Sequence, residues 1–179
     1  MWQNAMYWLE THLGWVAVAA LVVMAALVLA GCDSRRIEKL EEGVSTEADV
    51  RAAMGEPEHI WPEAGGARTL EYNRQPKGHR NYMITVGANG VMTALVQVLT
   101  PERFALAVPG LSQEEMRRLY GRPARVVPYA LKGETDWTWH YLENGSQSYS
   151  FTATFGGPEG RLLRTARTLD ESNSVPDPR

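Results

Sequence analysis

The side chains from which nucleophilic or metal chemistry would be built are few: one cysteine, Cys32, and four histidines. A protein metal site needs several such groups at short, regular spacing. His59, His79 and His140 lie far apart along the chain, so no metal and no cofactor is expected. A lone cysteine also excludes an internal disulfide framework and a cysteine-based zinc site. No serine or cysteine stands in the glycine-flanked turn that exposes a hydrolase nucleophile. Glu114 and Glu115 form a carboxylate pair on paper, but adjacent residues diverge on a helix, and a capping role accounts for them better. The glycine-rich run Gly156-Gly157-Pro158-Glu159-Gly160 falls between two strand patterns and not ahead of a helix, which makes it a turn and not a phosphate cradle. Trp137, Trp139 and Tyr141 alternate with polar residues, as a core-facing strand does, although the same stripe would serve as a platform for a carbohydrate or a partner. His140, between two of these aromatics, faces the polar side. No catalytic residue is expected, and the chain reads as a non-enzyme.

Cys32 differs because of what precedes it. The stretch from Trp15 to Ala30 carries no charge and, with Leu13 and Gly14, approaches the roughly 20 residues of a membrane-crossing helix. It ends in Leu29-Ala30-Gly31-Cys32, which resembles the lipobox of bacterial lipoproteins. That resemblance implies cleavage between Gly31 and Cys32, covalent lipid on Cys32, a signal peptide over 1–31, and a working chain of 32–179 tethered to a membrane and facing the periplasm. An uncleaved transmembrane anchor is the alternative, because export signals usually have apolar cores of about 7–15 residues. Residues 1–14 contain Glu10 and no Lys or Arg, whereas Arg35, Arg36 and Lys39 follow the run. Taken alone, that asymmetry would hold the C-terminal side in the cytoplasm; a different start codon reconciles it with export. Asp33 resembles the signal that keeps enterobacterial lipoproteins in the inner membrane.

The formal net charge is −3, and loss of Glu10 with the leader moves it one step nearer neutrality. Acidic and basic residues are interspersed, so the basic face that nucleic-acid binding demands is missing. Residues 32–179 suffice for one domain or two small ones.

An internal repeat sets the expected architecture. Aligning Thr46 with Ser112 pairs Asp49 with Glu115, Val50 with Met116, Arg51 with Arg117, Met54 with Tyr120, Gly55 with Gly121 and Pro57 with Pro123. Thr46 and Ser112 are suited to cap a helix start, with Asp49 and Glu115 returning the bond as in a capping box. Val50 and Met54, like Met116 and Tyr120, share one helix face four residues apart. Gly55 and Gly121 are suited to the helix C-terminus, and the prolines end it. A shorter helix is expected before each, over 36–42 with Ile37 and Leu40 inward, and over 102–108 with Phe104 and Leu106 partly buried.

Beyond each Gly-x-Pro the apolar period becomes two. Strands are expected around Leu70 to Tyr72, Tyr82 to Val86, residues 91–99, Trp137 to Tyr141, Tyr149 to Phe155 and residues 161–169, with room for a short extra strand after the Gly-x-Pro turn. The stretch 91–99 is apolar at both parities and should be covered on both faces, at the junction of the copies. Thr138, His140, Ser150, Thr152 and Thr154 should form a wet face. Arg161, Arg164 and Arg167 would blunt an edge strand with charge or meet a membrane surface. The expectation is an α+β fold of two tandem α-α-β-β-β units, over 32–100 and 101–170, with helices on one face of antiparallel sheets and a disordered tail over 171–179.

The pattern Gly-x-Ser/Thr, an acidic residue before an apolar one, then Gly-x-Pro, all behind a lipobox, resembles the SmpA/OmlA (BamE-like) family of outer-membrane assembly lipoproteins. The resemblance covers about 36–99 and again about 102–170. It implies a lipid-anchored α+β scaffold of the β-barrel assembly machinery, acting by protein contact in the outer membrane, where Asp33 would favour the inner one. A tandem pair of such units is similar in architecture to β-lactamase-inhibitor protein, which leaves a freestanding envelope lipoprotein that binds or inhibits another protein as the alternative.

Overall fold

The computed structural model describes residues 36–170, so Gly31, Cys32, Asp33 and the tail 171–179 lie outside the described residues. Two four-stranded antiparallel sheets and a few short helices make a mixed α+β fold.

Helix α1 spans Glu47–Met54. Asp49 N donates to Thr46 Oγ1 at 3.3 Å and Thr46 N donates to Asp49 Oδ2 at 2.8 Å, so each residue satisfies an amide that the first turn leaves open. The Thr46 hydroxyl, then its backbone amide, holds the Asp49 carboxyl below the ordinary range. At the other end Gly55 has φ 83° and ψ −163°, a region that only glycine occupies without strain. Strands β1 (His59–Pro62), β2 (Arg68–Asn73), β3 (Asn81–Val86) and β4 (Met92–Gln97) follow as the first sheet, in that order. Val50 and Met54 pack with Leu70, Tyr72, Ile84, Val86 and Met92, and Tyr72 Oη donates to Gly55 O at 3.1 Å.

The short helix α2 (Pro101–Phe104) begins on Thr100 and leads to helix α3 (Gln113–Tyr120). Ser112 and Glu115 exchange bonds of 3.1 and 2.7 Å at the start of α3, and Gly121 ends it at φ 76°. The second sheet contains β5 (Arg125–Tyr129), β6 (Glu134–Glu143), β7 (Gln147–Gly156) and β8 (Arg161–Leu169), again in chain order. Met116 and Tyr120 sink into an aromatic core of Phe104, Trp139, Tyr141 and Phe151, and Trp139 Nε1 donates to Gly121 O at 3.0 Å. Burial pushes the Tyr120 phenol up to about 12, so it stays protonated and donates to Arg103 O at 2.8 Å.

Four expectations need correction. Each sheet has four strands and not three: the short extra strand for which the sequence left room is present in both, with Pro62 and Pro128 accommodated in outermost strands where a missing amide costs no ladder bond. The helix expected over 102–108 stops at Phe104. Val108 precedes Pro109, which disfavours helical backbone there, and Leu106 is exposed. Residues 36–37 are helical and the chain then turns, because Gly43 and Ser45 bond to Met92 at the edge of β4. Finally, the first sheet is covered on both faces: α1 packs on one, while Arg117 and Arg118 of α3 reach Glu71 and Trp61 on the other. The apolar residues of β4 divide accordingly, Met92 and Leu95 to one core, Val96 and the following Val98 to the other.

Candidate functional site

The polar chemistry of this molecule gathers where the two sheets meet. Glu71, in the middle of β2, is fully buried. Its carboxylate accepts from Trp61 Nε1 at 3.0 Å, Asn73 Nδ2 at 2.7 Å, Arg117 Nε at 3.2 Å and Arg122 N at 3.0 Å. A buried charge persists only when paired and hydrogen-bonded, and here a guanidinium and three further donors do both. Asn81 works beside it, donating to Tyr120 O at 2.8 Å and accepting from Arg74 N at 3.0 Å.

Beyond Thr138 the strand β6 outruns its neighbour β5, which leaves backbone groups bare on that side. The side chain of Gln75 fills the gap. Its Nε2 donates to His140 O at 2.7 Å, and His140 N donates to its Oε1 at 3.2 Å, so an amide side chain imitates a paired strand. Gln75→Leu should strand both backbone groups and lower unfolding free energy by about 1–3 kcal/mol. A urea titration checks this, with Lys77→Leu in the same loop, where the side chain is exposed, as a variant of small effect.

The same seam holds His79, His140, Ser148, Ser150 and Asp170. His79 Nε2 lies 3.2 Å from Ser148 Oγ, and His140 Nδ1 lies 3.2 Å from Ser150 Oγ and 3.3 Å from Asp170 Oδ2. Burial, then the neighbouring His140, holds His79 below its ordinary value, while Asp170 acts in the opposite direction. A serine hydrolase relay needs hydroxyl and carboxylate on opposite ring nitrogens. Here both meet Nδ1 of His140, so the ring cannot pass a proton from one to the other. The cluster is a bonding network that ties the loop before β3 to β6, β7 and the end of β8. It escaped the sequence because His79 and Ser148 are 69 positions apart with no pattern linking them.

The face of β6 and β7 that carries Thr138, His140, Ser150, Thr152 and Thr154 is less wet than its composition implied. Thr138 and Thr154 are buried, and cross-strand bonds satisfy their hydroxyls: Thr138 with Thr152 at 3.3 Å, and Thr154 with Asp136 at 2.7 Å. Trp139 and Tyr141 point into the core and offer no platform to a ligand. Arg164 and Arg167 are each tied back to β6, to Glu134 at 2.7 Å and to Glu143 at 2.8 Å. Glu114 and Glu115 do not converge: Glu115 caps α3 and Glu114 pairs with Arg118 at 3.6 Å. Thr46, Gly55, Ser112, Glu115 and Gly121 sit at the helix ends, where the capping bonds are local and the carbonyls of the two glycines accept from Tyr72 and Trp139. No helix among the described residues is long and apolar enough to cross a membrane.

Among the described residues, two of the concavities lie beside the sheets. One, of about 430 Å³, opens beside the N-terminal segment between Ile37, Leu40, Glu42, Arg80, Tyr82 and Leu95. The other, of about 330 Å³, lies between α2 and the edge strand β8. Neither brings together an acid–base pair with a nucleophile.

No family model matches the chain, and no curated protein matches it. Among solved structures it is similar to a DUF4309 family protein (YjgB) from Bacillus subtilis, at 22% identity over 74% of this chain and 83% of that one, with a TM-score of 0.28.

Proposed function

We propose that this chain is a lipid-anchored, non-catalytic protein of the bacterial cell envelope, resembling a subunit of the outer-membrane β-barrel assembly machinery and working by protein–protein contact. Its two halves, 32–100 and 101–170, are copies of one helix-plus-sheet unit. One observation carries this reading: the bond from a strand aromatic to the glycine that ends the capped helix occurs twice, Tyr72 to Gly55 and Trp139 to Gly121. The Gly-x-Pro pattern on which the family resemblance rests is therefore tied, in both halves, to how helix and sheet join. A scaffold of this kind acts through surfaces and needs no reacting centre.

Cells fed labelled palmitate should incorporate it into the natural chain and not into Cys32→Ala. After mild detergent extraction the natural chain should co-purify with a β-barrel assembly component, and fractionation should decide between the inner membrane favoured by Asp33 and the outer one. Labelling that survives in Cys32→Ala would sink the anchor. Failure to find either assembly partners or altered barrel levels after deletion would sink the assembly role.

A freestanding binding or inhibitory lipoprotein is the second reading. It is favoured by Leu131, wholly exposed on the turn before β6, with Tyr129 and Leu163 also exposed near it. Unimpaired barrel levels after deletion would select it.

A further inference from the structure

Strand β8 is the last strand of its sheet, and every residue from Leu163 to Leu169 is exposed. At its start the outer edge is already paired: Gly110 N donates to Leu162 O and Leu162 N donates to Leu111 O, both at 2.8 Å. At its end Asp170 N donates inward to Ser148 O at 3.0 Å. Backbone groups alternate sides along a strand, so those of Thr168 and Ala166 face β7, while those of Thr165, Arg167 and Leu169 face outward. Among the described residues no backbone bond closes those three positions.

The edge of the first sheet shows what closure looks like. There Gly43 N donates to Met92 O and Met92 N to Ser45 O, matching the pairing at Leu162. Both sheets then carry a register shift at the same place, opposite Thr85/Val86 and opposite Thr154/Phe155, which makes Leu95 the counterpart of Thr165. Leu95 N donates to Glu42 Oε1 at 2.8 Å. The residue in the place of Glu42, immediately before the pairing glycine, is Pro109 in the second half. Proline has no acceptor on its side chain, so the amide of Thr165 lacks the cap its counterpart has.

Proteins commonly guard such an edge with outward charge. Here the charge is turned away: Arg164 Nη2 bonds Glu134 and Arg167 Nη2 bonds Glu143, both over the faces of the sheet. Alongside the open stretch runs the 330 Å³ groove, lined by Pro101, Phe104, Ala105, Phe151, Thr165 and Arg167. A row of unpaired main-chain groups beside a largely apolar groove is the geometry of strand addition, where backbone bonds bind and alternate side chains select.

We infer that the outer edge of β8 receives an extended strand of a partner polypeptide, with an aliphatic side chain of that strand seated between α2 and β8. The inference deepens the proposed contact function by naming its surface and partner type, and it rests on that reading. Its test uses a peptide and not envelope extracts, so the edge and the assembly role can fail separately.

The probe is a fluorescein-labelled peptide of alternating valine and threonine, titrated by anisotropy against the full chain in mild detergent. Saturable binding is expected, with a loss of at least about tenfold when the peptide is N-methylated at every residue, because each lost main-chain bond is worth about that factor. Thr165→Pro removes the outward amide and spares the β7 ladder; Pro109→Glu supplies the carboxylate that Glu42 provides elsewhere. Each should weaken binding by about tenfold or more with an unchanged circular dichroism spectrum, while Thr165→Val should not. If Thr165→Pro does not fold, Pro109→Glu alone decides. No saturable binding, equal binding of the methylated peptide, or undiminished binding by Pro109→Glu overturns the proposal. So does sedimentation showing a dimer that Pro109→Glu dissociates, since the occupant would then be a second copy of this chain.

Discussion

Glu71→Ala is expected to lower the unfolding free energy by about 3–5 kcal/mol, the usual cost of breaking a buried ion pair from one side. At ~2–4 °C per kcal/mol for a chain of this size, the midpoint of a thermal melt should fall by roughly 10 °C. The reason is the number of donors that converge on one carboxylate. Trp61 Nε1 loses its acceptor outright, Arg122 N keeps only Asn73 Oδ1 at 3.0 Å, and Asn73 and Arg117 lose the group that holds their orientation. Arg117 is 31% exposed and can partly turn to water, and Glu58 lies 3.7 Å away, which keeps the cost from the extreme of a sealed charge. Glu71→Gln keeps the shape and one acceptor but turns an amide N–H₂ toward donors, so it should recover only part of the loss. In a double-mutant cycle with Arg117→Met, the combined loss should fall short of the sum by about 1–3 kcal/mol. A Glu71→Ala protein within about 1 kcal/mol of the natural one would show that the seam does not depend on this carboxylate.

The two helix-ending glycines should respond unequally to alanine, although their backbone angles are nearly the same. At Gly55 an added Cβ meets nothing within 4 Å, so only the backbone strain counts, about 1–3 kcal/mol. At Gly121 the Cβ would overlap Asn73 Oδ1 and lie 3.0 Å from Asn81 Nδ2. Those two side chains join the first sheet to the end of α3, through Arg122 N, Tyr120 O and Arg122 O. Gly121→Ala must therefore displace the joint as well as strain the backbone, and roughly 2 kcal/mol more should be lost than in Gly55→Ala. Urea titrations of the two variants make the comparison directly. Equal losses would mean that the asparagines yield freely.

What could be read from residue order was local. Thr46-x-x-Asp49 and Ser112-x-x-Glu115 state their own bonding partners three residues away, and Trp137, Trp139 and Tyr141 state a period of two. The outermost strands β1 and β5 could not be read so, since an edge strand holding a proline with little buried surface carries no alternation. The seam was opaque for a different reason. Glu71 meets Arg117 46 positions on, and Gln75 meets His140 65 positions on, so neither belongs to any period. Thr138 and Thr154 mislead because hydroxyls that bond to one another can be buried as threonines, while composition alone marks them as wet.

Helix α3 lies against both sheets, and on the tandem reading this decides how such an array can end. The first sheet presents Trp61 and Glu71 to the helix that follows it, and Arg117 and Arg118 answer. The second sheet has threonines and Asp136 facing the same way, and they answer one another. A face whose hydroxyls are already spoken for has little to offer another helix, so it works as a stopper. Without it, each molecule could lay its first helix on the last sheet of the next, and head-to-tail contacts that never close on themselves grow into fibres. On that reading, the cross-strand threonine bonds would act against head-to-tail stacking of one molecule on the next.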